Sequence, residues 1–238
     1  MKITGIAAGR DWSVHPPYLH EPYRSTVARS PRQPLLRLNP SIADLTGPVF
    51  GPGDVAPDDA DLTRNAGTDG EAIGQRLYVT GQVLQEEGQP IAGALVEIWQ
   101  ANAAGRYLHS RDQHPAPLDP HFIGAGRCLT DANGHYHFTT IHPGAYPWQN
   151  HSNAWRPSHI HFSLFGHSFV SRLVTQMYFP GDPLLPLDPI FNSIPSERGR
   201  QLLIARYAHE ETEPGIALGY RFDIVLRGGN DTPIETPR

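Results

Sequence analysis

The sequence predicts an all-β protein, a β-sandwich core preceded by an extended, irregular N-terminal arm and carrying one or two short helices. Three observations predict it. Turn-forming residues are dense, with 23 glycines and 24 prolines among 238 residues. Between the turns lie short apolar stretches with the two-residue period of strands. Only residues 195–207 place apolar side chains at helical spacing, through Leu202 and Leu203. A chain of this length fits one domain of this class, read here as an arm over 1–70 and a core over 71–238.

The arm is read from its prolines. Pro16, Pro17, Pro22, Pro31, Pro34, Pro40, Pro48, Pro52 and Pro57 break helices and ladders alike. One short helix is expected from Ser41 through Ile42 and Leu45, stopped by Gly47 and Pro48. Tyr23, Leu35, Leu36, Leu38, Ile42 and Leu45 call for burial. The arm is therefore expected to wrap over the core or over a partner chain.

The core begins near residue 76. Residues 77–84 are β-rich and end at a turn over 87–90. Residues 94–99 alternate, with Leu95, Glu97 and Trp99 on one face and Val96 and Ile98 on the other. Residues 128–130 and 135–139 flank Asp131-Ala132-Asn133-Gly134 and read as a hairpin, with Asn-Gly supplying positive φ angles. Further strands are expected over 159–164, 172–179 and 220–226.

Composition excludes several classes. The chain is 39% hydrophobic, enough for a sizeable core, and only 18% charged. Its net charge is −5 and no Lys/Arg block occurs, so nucleic acid is not an expected partner. No apolar run approaches the length of a membrane span, and the first residues lack a secretory apolar region. The single cysteine, Cys128, excludes an internal disulfide and fits a reducing cytoplasm. Thirteen histidines make a metal site worth seeking.

The sharpest local feature is Arg156-Pro157-Ser158-His159-Ile160-His161-Phe162. On a strand, His159 and His161 share a face and can bind one ion; alone, the pair reads equally as a polar face. No second cysteine is available for a thiolate site. No Asp or Glu lies between Thr140 and Thr175, which weakens a two-histidine, one-carboxylate ferrous site. The chain offers instead tyrosines in Gly- and Pro-rich loops, Gly105-Arg106-Tyr107 and Pro143-Gly144-Ala145-Tyr146-Pro147-Trp148. Either tyrosine alone also reads as packing a loop onto the core.

Together with Trp99-Gln100-Ala101-Asn102 and the stretch from Gly126 to Asp131, these motifs resemble the intradiol ring-cleavage dioxygenases. The resemblance runs over residues 22–228 and includes Arg29-Ser30-Pro31-Arg32-Gln33 and residues 220–228. It implies a non-haem Fe(III) ion held by Tyr107, Tyr146, His159 and His161. It implies that a catechol chelates the ion, that Tyr146 leaves it and accepts a catechol proton, and that no external reductant is needed. Arg156 would stabilise negative charge on the substrate, and Gln176 would stand near the reacting carbons. Tyr23, Trp148 and Ile190 would line the substrate pocket. The resemblance is greatest to members built from paired α and β chains, on the β side, which carries the metal ligands. It implies an α-chain partner in a higher-order assembly. The expected reaction opens protocatechuate (3,4-dihydroxybenzoate) with O2 to 3-carboxy-cis,cis-muconate, in aromatic catabolism through the β-ketoadipate pathway. Gln149 and Leu108 stand where arginines are expected, which removes positive charge near the site. Two other readings stay open: an intradiol enzyme for another catechol or for hydroxyquinol, and a non-enzymatic, transthyretin-like binding module. A zinc hydrolase lacks a carboxylate base near the pair. The second pair, His135 and His137, receives no metal role, and Cys128 is read as a small buried filler.

Overall fold

In a computed structural model, residues 13–34, 36, 52–85, 88–165, 172–226 and 231–235 are described. Two sheets stack. The first centres on β1 (Arg76–Leu84), which pairs antiparallel with β4 (His135–Ile141). On its other side β1 runs parallel to β10 (Leu218–Arg221) and then to β11 (Ile224–Val225); β9 (Arg206–Tyr207) pairs with β10. The second sheet is antiparallel, in the order β3 (Ala125–Leu129), β2 (Leu95–Trp99), β7 (His159–Phe165), β8 (Arg172–Tyr178). A two-residue ladder joins β5 (Tyr146–Pro147) to β6 (Trp155–Arg156) outside both sheets.

Strand alternation makes the core. Leu77, Val79, Tyr136 and Phe138 point inward from the first sheet; Val96, Ile98, Ile160, Phe162, Leu164 and Leu173 meet them from the second. The rings of Phe138 and Phe162 lie 5.8 Å apart across the gap. Each such fully buried side chain contributes about 1.5–3 kcal/mol of transfer free energy. The odd-numbered side chains of β7 are thereby turned to the outer face of its sheet.

Three short α-helices occur among the described residues: α1 (Arg24–Arg29), α2 (Pro189–Asn192) and α3 (Glu197–Gln201). The helix expected over 195–207 is confined to α3. Ser196 caps its start by accepting from the Gly199 N–H, and the chain then turns extended because Leu203 and Ala205 bond to Tyr178 of β8. The helix expected from Ser41 lies outside the described residues. In the arm Tyr23 is buried, whereas Leu36 is exposed in the isolated chain. No helix among the described residues is long and apolar enough to cross a membrane.

Two local expectations need correction. Residues 128–139 are not a hairpin: β3 belongs to the second sheet and β4 to the first. The Asp131 N–H bonds to the His135 carbonyl at 2.8 Å, but the Thr130 N–H goes to Ala94, so the strands part at once. Gly134 alone takes a positive φ there, 76°, while the Asp131 carboxylate accepts from the Asn133 and His135 N–H groups. That Asx turn makes a corner between sheets, where an Asn-Gly turn with two positive φ values would have closed a hairpin. The strand expected over 220–226 is interrupted between β10 and β11. There the Asp223 side chain takes the Gln82 N–H in place of a main-chain carbonyl.

Candidate active site

The outer face of the second sheet carries the site. The register sets Trp99, His161 and Gln176 side by side on β2, β7 and β8, and His159 opposite Tyr178 one step along. The His159 and His161 rings lie 4.8 Å apart at 74°. Both are buried. The His159 Nδ1–H donates to the Pro157 carbonyl at 2.7 Å, which turns its Nε2 lone pair into the site. The His161 Nδ1–H donates to Glu235 at 3.2 Å, and the Trp99 ring stacks on it at 4.8 Å with an interplanar angle of 4°.

Two loops bring the tyrosines. The Asn102 side chain accepts from the Ala104 and Arg106 N–H groups, and its carbonyl accepts from the Gly105 and Gly144 N–H groups. The loops before Tyr107 and Tyr146 are thus tied to one residue. The close approach requires glycine: at Gly105 φ is +75°, and a Cβ would run into the Ala145 carbonyl oxygen. The rings of Tyr107 and Tyr146 meet edge to face at 5.3 Å. The Tyr146 Oη lies 3.5 Å from the His159 Nε2.

Arg156 stands opposite Tyr146 in the β5–β6 ladder and is buried. Its Nη1 donates to the His159 Nε2 at 3.1 Å and to the Tyr146 Oη at 3.4 Å. Its Nη2 donates to the Gln176 Oε1 at 2.7 Å and the Tyr178 Oη at 3.0 Å. Sequence places no acid near Arg156, yet the fold brings in Asp188, the N-cap of α2, as a forked buried partner. Gln176 is part of the same knot: its carbonyl oxygen is taken by Arg156 and by the Tyr178 hydroxyl, while its buried Nε2 faces Glu235 without a hydrogen bond of good geometry.

Burial sets the protonation states. It raises the Tyr107 hydroxyl well above 10, reinforced by the neighbouring Tyr146. It raises Tyr146 too, against the pull of Arg156. It holds His159 well below 6.5, helped by Arg156 and His161, so the imidazole is neutral. For Arg156 burial opposes the charge but Asp188, Tyr146 and Tyr178 outweigh it, and the guanidinium stays protonated. For Glu235 burial is likewise outweighed, here by His161 and Arg156, and the carboxylate is ionised.

This donor set fits a hard, highly charged cation. The Tyr107 hydroxyl is buried beside the Tyr146 hydroxyl without a hydrogen bond of good geometry, which in a native structure asks for an explanation. Among the described residues no three His, Cys, Asp or Glu side chains converge as a metal site. A metal here would draw on both tyrosines as well as both histidines. Two phenolates supply the anionic oxygen that such an ion prefers, and its charge would remove their protons.

The substrate-pocket expectations are placed as follows. The Tyr23 ring, at the start of α1, lies 5.2 Å from the Trp148 ring, and the Arg156 guanidinium lies 5.2 Å from that indole. Ile190 is buried on α2, two residues beyond Asp188. The Leu108 side chain is exposed, and Gln149 meets the arm through its main chain, accepting from Arg24.

Known proteins carry the same arrangement of sequence. The family model "Dioxygenase" matches residues 45–228, and "Protocatechuate 3,4-dioxygenase beta subunit N terminal" matches residues 8–41. The chain belongs to the intradiol dioxygenase family. It is 60% identical to the protocatechuate 3,4-dioxygenase beta chain of Burkholderia cepacia over 99% of this chain and all of that one. It is 29% identical to the alpha chain of the Burkholderia cepacia enzyme, over 68% of this chain and 77% of that one. The solved structure of 3-chlorocatechol 1,2-dioxygenase from Rhodococcus opacus 1CP superposes with a TM-score of 0.54 at 25% identity, over 75% of this chain and 69% of that one.

Sequence reading missed Asp188, Tyr178, Glu235 and Trp99 as members of this intradiol site. Asp188 before Pro189 carries a helix-start signal, but nothing local pairs it with Arg156. The alternation of 94–99 placed Trp99 on the face opposite Val96 and Ile98 without saying which face is outer or what stacks there.

Proposed function

We propose that this chain is the iron-bearing β subunit of a protocatechuate 3,4-dioxygenase, opening protocatechuate with O2 to 3-carboxy-cis,cis-muconate. One observation carries the reading. Tyr107, Tyr146, His159 and His161 converge, and the buried Tyr107 hydroxyl has only the Tyr146 hydroxyl near it and no hydrogen bond of good geometry. The near-complete match to a beta chain of that name supports the substrate. The N-terminal match over 8–41 favours it over a catechol or hydroxyquinol enzyme, and both matches weigh against a non-enzymatic binding module.

Tyr107, Tyr146, His159 and His161 would hold Fe(III), which when bound supplies a Lewis acid that draws both catechol oxygens and opens the ring to O2. The chain's own residues do the rest. Tyr146 accepts a catechol proton at its Oη, beside the Arg156 guanidinium. Arg156, held charged by Asp188, stabilises negative charge developing on the substrate. The Gln176 amide, beside Arg156, stands near the reacting group and can orient an oxygen of it. Tyr23, Trp148 and Ile190 form the apolar wall that orients the ring. An α chain, related to this one as the Burkholderia cepacia pair are to each other, would complete the assembly. A cytoplasmic location accords with the lone, buried Cys128.

The test is a visible spectrum with an iron assay on the chain co-purified with its α partner. One ferric ion per β chain and a broad phenolate-to-iron band, shifting on anaerobic addition of protocatechuate, is the expected result. Zinc in place of iron, or a colourless protein, would sink the reading. Faster turnover of catechol than of protocatechuate would move the substrate assignment to the catechol enzymes.

A further inference from the structure

The two histidines are held by different means. His159 is fixed by a carbonyl of its own strand entry, two residues away. His161 is fixed by Glu235, 74 residues on in sequence. Glu235 belongs to a strap, described over residues 231–235, laid along the outer edge of β8. The Glu235 N–H donates to the Val174 carbonyl at 2.9 Å, and the Thr175 hydroxyl donates to the Pro233 carbonyl at 2.7 Å. Thr232 exchanges two bonds with Val225 of β11. The far end is locked to the arm. Asp231 and His15, both buried, pair at 3.0 Å, and the Ile234 N–H donates to the His15 Nδ1 at 3.2 Å.

The described residues of the strap are therefore tightly anchored to β8, β11 and the arm, and its Glu235 side chain reaches the candidate centre. A carboxylate behind an imidazole does two things to a ligand. It fixes the tautomer, leaving Nε2 free for the ion, and it makes that nitrogen a stronger donor. Trp99 stacks on the ring face, so the plane of His161 is set by Trp99 and its rotation within that plane by Glu235.

We infer that Glu235 is a positioning residue for the metal centre, delivered to His161 by a C-terminal strap that His15 of the N-terminal arm locks in place. This rests on His161 being an iron ligand, as proposed above. It assigns a task to both chain ends that neither the metal ligands nor the substrate wall requires.

The experiment compares the αβ enzyme with Glu235→Gln, Glu235→Ala and His15→Ala. The readouts are the rate of iron loss to a ferric chelator and the position of the phenolate-to-iron band. Glu235→Ala is expected to lose iron about 10–100-fold faster, with a shifted band. Glu235→Gln, whose carbonyl still accepts from Nδ1, is expected to lie between it and the parent. His15→Ala is expected to move both readouts in the same direction by a smaller factor, with the carboxylate intact. The near-isosteric Gln variant keeps the test alive should the Ala variant fail to fold. If both Glu235 variants lose iron within twofold of the parent rate with an unmoved band, the inference is wrong and the iron assignment stands. If the parent holds no iron and shows no band, the proposed function fails and this inference falls with it.

Discussion

Arg156 and Asp188 form a forked ion pair that neither side chain shares with solvent: Nη2 lies 2.7 Å from Oδ2 and Nε 3.1 Å from Oδ1. The pair fixes the Arg156 guanidinium between Tyr146, His159 and Gln176. Removing one member leaves the other charged and buried, which costs about 3–5 kcal/mol. Asp188→Ala is expected to lower unfolding stability by that amount in urea titrations and to abolish turnover. Arg156→Lys keeps the charge but loses the fork. It is expected to lower kcat far more than it lowers stability. A stability loss under about 1 kcal/mol in Asp188→Ala would remove Asp188 from this role.

The ligand loops meet at glycine. Gly105 has φ +75° against the Ala145 carbonyl, and a Cβ at Gly144 would stand 2.5 Å from the Ala103 oxygen. Strain of this kind costs about 1–3 kcal/mol and displaces the loops that carry Tyr107 and Tyr146. Gly105→Ala is expected to retain iron at least tenfold less well while its far-ultraviolet circular dichroism stays that of the parent. Full iron with an unmoved visible band in that variant would show that the loops tolerate separation.

Removing the metal tests the protonation argument directly. Burial raises the hydroxyls of Tyr107 and Tyr146 above 10, so without a cation both are neutral phenols at pH 7. Chelator-stripped protein is expected to show no tyrosinate absorption at pH 7, and re-addition of ferric ion to restore the visible band. Tyr107→Phe and Tyr146→Phe are each expected to weaken that band, the first mainly by loss of iron and the second mainly through kcat. A full-strength band in the double variant would exclude both as ligands.

The sandwich was legible from local signals, whereas the four residues were joined into one candidate site only by the resemblance to the intradiol enzymes, because each local signal alone stayed ambiguous. Strand period put His159 and His161 on one face, and Gly- and Pro-rich flanks marked Tyr107 and Tyr146 as loop residues. Asp188 and Glu235 were not legible. Each meets its partner through tertiary register, 32 and 74 residues away in sequence, and their surroundings read as an ordinary helix cap and an ordinary chain end. The corner at 131–134 was misread for a related reason. Asn133-Gly134 carries the local chemistry of a hairpin, but the choice of sheet lies with Ala94, which takes the Thr130 N–H.

Alkaline stability separates burial from the metal site, because two buried acids belong to the core between the sheets and not to the site. Burial pushes the Cys128 thiol up to about 12, against the stabilising His137 N–H. Burial also raises the Tyr136 hydroxyl well above 10; it donates to the Phe222 carbonyl inside the core. Both groups are neutral when protonated, so the folded state keeps protons that the unfolded chain releases, near 8.5 for cysteine and 10 for tyrosine. From there upward the unfolded state binds fewer protons, and stability falls with rising pH by about 1.4 kcal/mol per unit for each group in its window. The contribution is whole below about pH 8.5, and the part due to Cys128 is lost progressively toward pH 12. Cys128→Ala is expected to flatten the decline between about pH 9 and 12, whatever it costs at neutral pH through the small cavity it leaves. Urea midpoints of parent and variant at pH 8, 9.5 and 10.5 give the two slopes. Equal slopes would mean that Cys128 titrates alike in both states, and the native thiol would then react readily with a disulfide reagent at pH 8, where a buried thiol of this kind stays inert.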